Sequence, residues 1–275
     1  MKKFVLLICS VLFFPCLLWA QLKGTEVTLR TQDGWNLAAV YLPAAQEDNK
    51  TVVLLHDIGD SHKRFETFAN KLASKGIGYL ALDLRGHGRS VNLGSYKSFA
   101  KEGVDNEYNK MTRDVNAAVE FLKGKDIPEE NIFFVGAGMG ANVAAKAISL
   151  WPQVGGLALL TPVTNYRDVL PIPALRVYKG KVFIAAAADD KKTFLEASVM
   201  RNVAFLSSGE GNVTFATAYD KKGHELLDAW VSPELLQWLQ TPQKPEQMPD
   251  LTDLPQETFE QTTSTEEGLF PSVLN

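Results

Sequence analysis

The stretch Asn131-Ile132-Phe133-Phe134-Val135-Gly136-Ala137-Gly138-Met139-Gly140-Ala141-Asn142-Val143 runs from an apolar segment through a glycine-spaced turn into a helical pattern. Such a strand-turn-helix is the setting of a nucleophile elbow, G-x-S-x-G, whose sharp, strained turn presents a serine Oγ for attack. Here the spacing is kept, and the central residue is Gly138. A phosphate-cradling loop is the rival reading. The dinucleotide fingerprint G-x-G-x-x-G wants a third glycine where Ala141 stands, although the tolerated form ending in alanine fits Gly136, Gly138 and Ala141. On this stretch alone both readings stay open. Downstream, Asp189 and Asp190 end an apolar run, and His224 lies in a turn before a final helix. Elbow, then acid, then histidine is the order in which a base and its orienting carboxylate serve an elbow nucleophile. Of the other histidines, His56 and His87 sit in backbone-shaping turns, and His62, opening a helix, is expected to be solvated.

The elements that must position these residues are legible in the hydrophobic pattern. Val27 and Leu29 alternate with polar neighbours, Asp33-Gly34 makes a hairpin turn, and Leu37 to Leu42 returns, so an antiparallel hairpin opens the fold. Short continuous apolar runs follow at Val52 to Leu55, Tyr79 to Leu82, Ile132 to Val135, Leu157 to Leu160 and Val182 to Ala187, of the kind a parallel sheet buries on both faces. Val213 to Thr217 alternates as a last strand. Phe65, Phe68, Ala69 and Leu72 fall at helical spacing, as do Met111, Val115, Ala118, Val119 and Leu122. Ser232-Pro233-Glu234 is a cap, a first-turn proline and an acidic first turn, opening a helix through Leu239. Strands alternating with helices specify an α/β sheet. A dinucleotide fold would carry its glycines at the first strand, whereas here two strand-helix passes precede them and no acid ends the next strand at Thr161.

From about residue 25 to residue 240 the chain resembles the α/β-hydrolases, in the style of the bacterial esterase, lipase and serine-peptidase branches. Leu54-Leu55-His56-Asp57-Ile58-Gly59 is similar to the family's His-Gly-x-Gly loop after a strand, and Ala81-Leu82-Asp83-Leu84-Arg85-Gly86-His87-Gly88-Arg89-Ser90 to its turn after the next strand, which shapes the site without entering the chemistry. Ala185 to Asp190 resembles the strand end bearing the family's acid, with Asp190 the better register and Asp189 second; Lys222-Gly223-His224-Glu225 resembles the loop bearing its histidine. The resemblance implies a mostly parallel central sheet with an N-terminal antiparallel hairpin, helices on both faces, and a small lid or none from residues 162–180. It implies an oxyanion hole from the N–H groups of Ile58 and Met139, His224 as base, Asp190 orienting it, and no cofactor or metal.

Composition bounds the rest. The 275 residues are 45% hydrophobic, 10% aromatic and 22% charged, the make-up of a packed globular chain. A formal charge of −4 offers no basic field for nucleic acid, and four His with two Cys are too few for a Cys/His zinc framework. Lys2-Lys3 and the seventeen uncharged, mostly apolar residues from Phe4 to Ala20 read as an export signal cleaved before Gln21, or else as an anchor at the short limit for spanning a bilayer. Both cysteines, Cys9 and Cys16, fall in that segment, so residues 21–240 form the expected hydrolase domain without a disulfide. Residues 241–275 carry five prolines, seven acidic residues and a single base, Lys244, and read as a disordered acidic tail. The protein is thus expected to be periplasmic or secreted, touching membrane only through an uncleaved residue 4–20 segment.

Glycine at 138 leaves no oxygen to attack a carbonyl, so serine-type catalysis is expected to be impaired, with a small-molecule or peptide ligand in the pocket; the alternative is hydrolysis of small ester, acyl or peptide substrates by water or another nucleophile. Restoring serine at 138 is expected to need nothing else rebuilt.

Overall fold

A computed structural model describes residues 24–46, 50–103, 105–228 and 231–241. The chain divides into the units Met1–Lys244 and Pro245–Asn275, and the expected export segment and all of the acidic tail after Thr241 lie outside the described residues.

Chain order gives β1 (Thr25–Arg30), β2 (Asn36–Leu42), β3 (Thr51–Leu55), α1 (Glu66–Ser74), β4 (Gly78–Leu82), α2 (Glu107–Lys110), α3 (Thr112–Lys123) and β5 (Ile132–Ala137). There follow α4 (Met139–Ala147), β6 (Gly156–Leu160), α5 (Ile172–Leu175), β7 (Lys181–Ala187), α6 (Lys191–Ser208), β8 (Val213–Ala218) and α7 (Val231–Gln240). The eight strands form one sheet in the order β1-β2-β4-β3-β5-β6-β7-β8. Only the β1–β2 and β2–β4 pairings are antiparallel, so the fold is the mostly parallel, doubly covered sheet with an N-terminal hairpin that the apolar runs specify.

Each central strand feeds two cores. Val53 and Leu55 of β3 join Phe134 of β5 and the inward faces of α3, α4 and α6 on one side. Val52 and Leu54 join Phe133 and Val135, α1 and α7 on the other. Alternation of side chains along a strand with both faces buried produces this, and explains why the strands read as unbroken apolar runs. Two strand-to-helix junctions matter for the site. β3 ends at Leu55 and releases the His56–Asp60 loop beside its neighbour β5, which ends at Ala137 and turns at once into α4. Between β6 and β7 the chain makes only the short α5 and a Tyr166–Val169 bridge, in keeping with a small lid or none.

Candidate active site

Gly138 joins β5 to α4 with φ 53° and ψ −118°, a conformation that costs any residue with a side chain of order 1–3 kcal/mol. The flanking glycines have a packing cause. A Cβ on Gly136 would sit 2.3 Å from the carbonyl oxygen of Gly140, and one on Gly140 would sit 2.1 Å from that of Leu55. The spacing therefore lets α4 close onto β5 and β3, which accounts for three glycines without a phosphate.

What fills the space above Gly138 is the side chain of Asp57. A Cβ at 138 would lie 2.2 Å from the Asp57 carboxyl carbon and 2.3 Å from each of its oxygens. Asp57 Oδ1 accepts the N–H of Ile58 at 2.7 Å and that of Met139, first residue of α4, at 2.8 Å. These are the two donors that the resemblance assigns to the oxyanion hole, so the chain holds its own carboxylate where a reacting oxyanion would be held. Among the described residues Oδ2 receives no hydrogen bond, and it faces the turn at Gly223, where a Cβ would meet it at 3.9 Å. Burial raises the Asp57 pKa above the ordinary carboxylate value against the two N–H bonds, with Asp60 adding to the rise and His224 opposing it.

The Asp57 peptide is itself fixed from behind. His56 is buried; its Nε2 accepts the Leu84 N–H at 3.0 Å, which leaves Nδ1 to donate to the Asp57 carbonyl oxygen at 2.6 Å. Burial depresses its pKa to about 4, so the ring is neutral with the proton on Nδ1. Across the site, the His224 turn is tied down by the Gly223 N–H donating to Thr161 Oγ1 at 2.8 Å. Thr161 follows β6 at φ 54°, an unusual angle for a β-branched residue. Tyr166 completes the surroundings; burial pushes its hydroxyl up to about 12, with the Asp57 charge adding to the rise.

The acid partner differs from the sequence expectation. Asp190 caps α6 by accepting the Thr193 N–H at 3.3 Å and pairs with Lys222 at 2.8 Å. Asp189 accepts the Asp220 N–H at 3.1 Å. Neither is joined to His224 by a hydrogen bond or ion pair among the described residues; a helix N-terminus and a lysine hold the Asp190 carboxylate instead. The acid nearest His224 is Asp60, whose Oδ2 lies 3.6 Å from Nδ1 while its Oδ1 takes Arg64 Nε at 2.8 Å. His62 is not a solvated surface residue either. Its Nδ1 is 2.7 Å from the buried Asp83 carboxylate, which also accepts the backbone N–H groups of His62 and Arg89. Gly138→Ser alone does need something rebuilt, because its Cβ would overlap Asp57. Asp57 is the functional candidate that sequence reasoning missed, and its signal was present: it stands where the His-Gly-x-Gly pattern has its first glycine. Among the described residues no three His, Asp or Glu side chains converge as metal ligands, and no helix is long and apolar enough to cross a membrane.

The strand order, the elbow between β5 and α4, and the late histidine turn define an α/β-hydrolase. The family model described as serine aminopeptidase, S33, matches residues 46–224, and the chain belongs to that family. Among curated relatives, an uncharacterized protein of Mycobacterium tuberculosis is 29% identical over 149 residues, 53% of this chain and 48% of that protein. Protein phosphatase methylesterase 1 of Schizosaccharomyces pombe is 27% identical over 128 residues, 45% of this chain and 35% of that one. The chain thus spans half or less of these relatives. Among solved structures, the Exiguobacterium antarcticum esterase superposes with a TM-score of 0.61 at 15% identity, covering 79% of this chain and 100% of the esterase. A Pyrococcus furiosus esterase gives 0.63 at 17% identity, covering 80% and 91%. At such identities the likeness is one of fold.

Proposed function

We propose that this hydrolase-family protein has given up serine acyl transfer and holds a small-molecule or peptide ligand at its former catalytic centre, in an exported form beginning near Gln21. The carrying observation is the paired exchange at the elbow. The nucleophile position is Gly138, and the Asp57 carboxylate occupies both the space of the missing side chain and the two N–H donors that a tetrahedral intermediate would require. Esters and amides therefore meet neither an attacking hydroxyl nor a vacant oxyanion site. The names of the similar esterases and methylesterases support a pocket suited to acyl or ester-like ligands.

The test compares wild type, Gly138→Ser, and Gly138→Ser combined with Asp57→Gly, using a fluorophosphonate probe, short activated esters and thermal melting. Wild type should remain unlabelled. Gly138→Ser alone should melt lower and stay inert, since its side chain must displace a carboxylate held by two N–H bonds. The double variant should recover stability, take up the probe and hydrolyse esters, because it supplies the serine and vacates the hole while His224 is kept. Stoichiometric labelling of the wild type would overturn the proposal. N-terminal sequencing of protein recovered from outside the cytoplasm checks export; an intact Met1 chain in the cytosol opposes it.

A further inference from the structure

Eighteen residues make α6 about 27 Å long, and Ala197, Met200 and Ala204 on its inward face enter the core against β7. The outward face is not that of a solvated helix. Its exposed residues are Lys191, Lys192, Leu195, Val199, Asn202 and Leu206, and the last four recur at intervals of four, three and four, which places them in one narrow row along the helix. Leu206 is 89% exposed. A single surface leucine needs no explanation, but three apolar side chains in one row, with one asparagine among them, form a seam of the kind that meets another helix. Val177 widens it. The Ser208 hydroxyl donates to the Tyr178 carbonyl oxygen at 2.9 Å, which holds the exposed Val177 beside the carboxyl end of α6.

The spacing of the row selects its partner. Four-three-four reads the same from either end, so two copies of α6 laid antiparallel bring Leu195 against the partner's Leu206 at both ends, and Val199 against the partner's Asn202 on either side of a two-fold axis. The charges agree with that direction. Past the cap Asp190, which is paired with Lys222, two lysines open α6; its last turn holds no base, and Glu210 stands just beyond Gly209 at its carboxyl end. This is the reverse of what the helix's own dipole favours. In an antiparallel pair, Lys191 and Lys192 lie beside the carboxyl-end carbonyls of the partner helix and the partner's Glu210, so the mismatch within one chain becomes a complement between two. A parallel pair would set lysine against lysine. We infer that the protein is a two-fold symmetric homodimer in which α6 packs antiparallel on the α6 of a second copy. One helix face with Val177 is small beside the roughly 800 Å² that each partner gives to a standard interface, so the dimer dissociates on dilution through the micromolar range.

Sedimentation velocity of the full chain, from about 1 to 100 µM, follows the monomer–dimer balance by mass action. Leu195→Glu and Leu206→Glu should each raise the dissociation constant about 100-fold, because a symmetric interface carries every substitution twice and buries the new charge against an apolar partner. Both side chains are exposed in the monomer, so the melting temperature measured on dilute protein should stay where it is. Direction is read by disulfide formation. Leu195→Cys and Leu206→Cys proteins should cross-link when mixed and not when oxidised separately, with the bond mapped between the 195 and 206 peptides by mass. Lys191→Glu should weaken the dimer about fivefold, and adding Glu210→Lys should restore it. A wild type that stays monomeric at every concentration overturns the inference; if that monomer then binds anionic lipid vesicles and loses them with Leu206→Glu, the row belongs to a membrane surface instead. A dimer indifferent to both leucine variants, or one in which position 195 links to itself, overturns it equally.

Discussion

His56 makes two buried bonds of opposite sense with one neutral ring, and protonating it would turn the Nε2 acceptor into a donor facing the Leu84 N–H. Folding therefore excludes the proton down to about pH 4, whereas the unfolded ring binds it from about 6.5. The unfolded state holds more protons across that window, so stability is full above about pH 6.5 and falls as pH drops toward 4, by about 3 kcal/mol in all. Guanidinium midpoints of wild type and His56→Gln, measured from pH 7 to 4, check this: the gap between them should shrink as pH falls, while carboxylate effects common to both cancel. A gap independent of pH would show that His56 contributes packing only. At this scale the sequence was legible in part. Gly138, Met139, Ile58 and His224 stand at the site because glycine spacing and chain order are local signals. The Asp57 carboxylate and the Asp60–His224 approach were hidden because they depend on where two loops from different strands point their side chains, which no spacing records. Asp190 misled for the same reason, since its position after β7 says nothing of the Lys222 that draws it away.

Elements that surround the site are fastened by a polar node. Arg85, fully buried after β4, donates to Asp33 in the β1–β2 turn at 2.8 Å, to Glu107 of α2 at 2.9 Å and to Asp114 of α3 at 2.8 Å, while Asp114 also accepts the Arg85 N–H. Three elements thus share one cation. Arg85→Met should cost about 3–5 kcal/mol, because Asp114 would be left buried and unpaired. Adding Asp114→Asn should recover part of the loss by removing the stranded charge while keeping an acceptor for the backbone N–H. Denaturant melts of the single and double variants decide it; additive losses would mean that the two side chains do not act as a pair. Among the elements longer than one turn, α6 alone was not read from the sequence; the four-residue α2 and α5 are too short to show a helical period. The outward face of α6 carries Leu195, 66% exposed, and Leu206, 89% exposed, so apolar residues fall on both sides and the helical period blurs.

Across the whole molecule, the parallel sheet is closed on one face by α7, whose Val231, Leu235, Trp238 and Leu239 enter the same core as α1 and the β3 and β5 side chains. Trp238 meets Phe133 of β5 edge-on at 5.9 Å and Phe183 of β7 at 5.7 Å. Lys181, the first residue of β7, donates to the Trp238 carbonyl oxygen at 2.6 Å, and both Lys181 and Lys50 bond carbonyls at the helix C-terminus, where cations oppose the dipole favourably. The C-terminal end of α7 is therefore clamped near the amino ends of β3 and β7, opposite to the carboxyl ends from which the elbow emerges, while its first turn follows the His224 turn and shares a core with Leu226 and Leu227. Trp238→Ala should cost about 3–5 kcal/mol as a large aromatic lost from a core. Because two-state domains lose stability as a unit, the melting temperature should drop for every probe of structure together. Near-ultraviolet circular dichroism and hydrogen exchange at the Met139 and Ile58 amides report the two ends of the sheet. Coincident transitions would place helix, sheet and site in one cooperative unit; exchange at those two amides that rises well before the Trp238 end unfolds would mean that the elbow opens on its own.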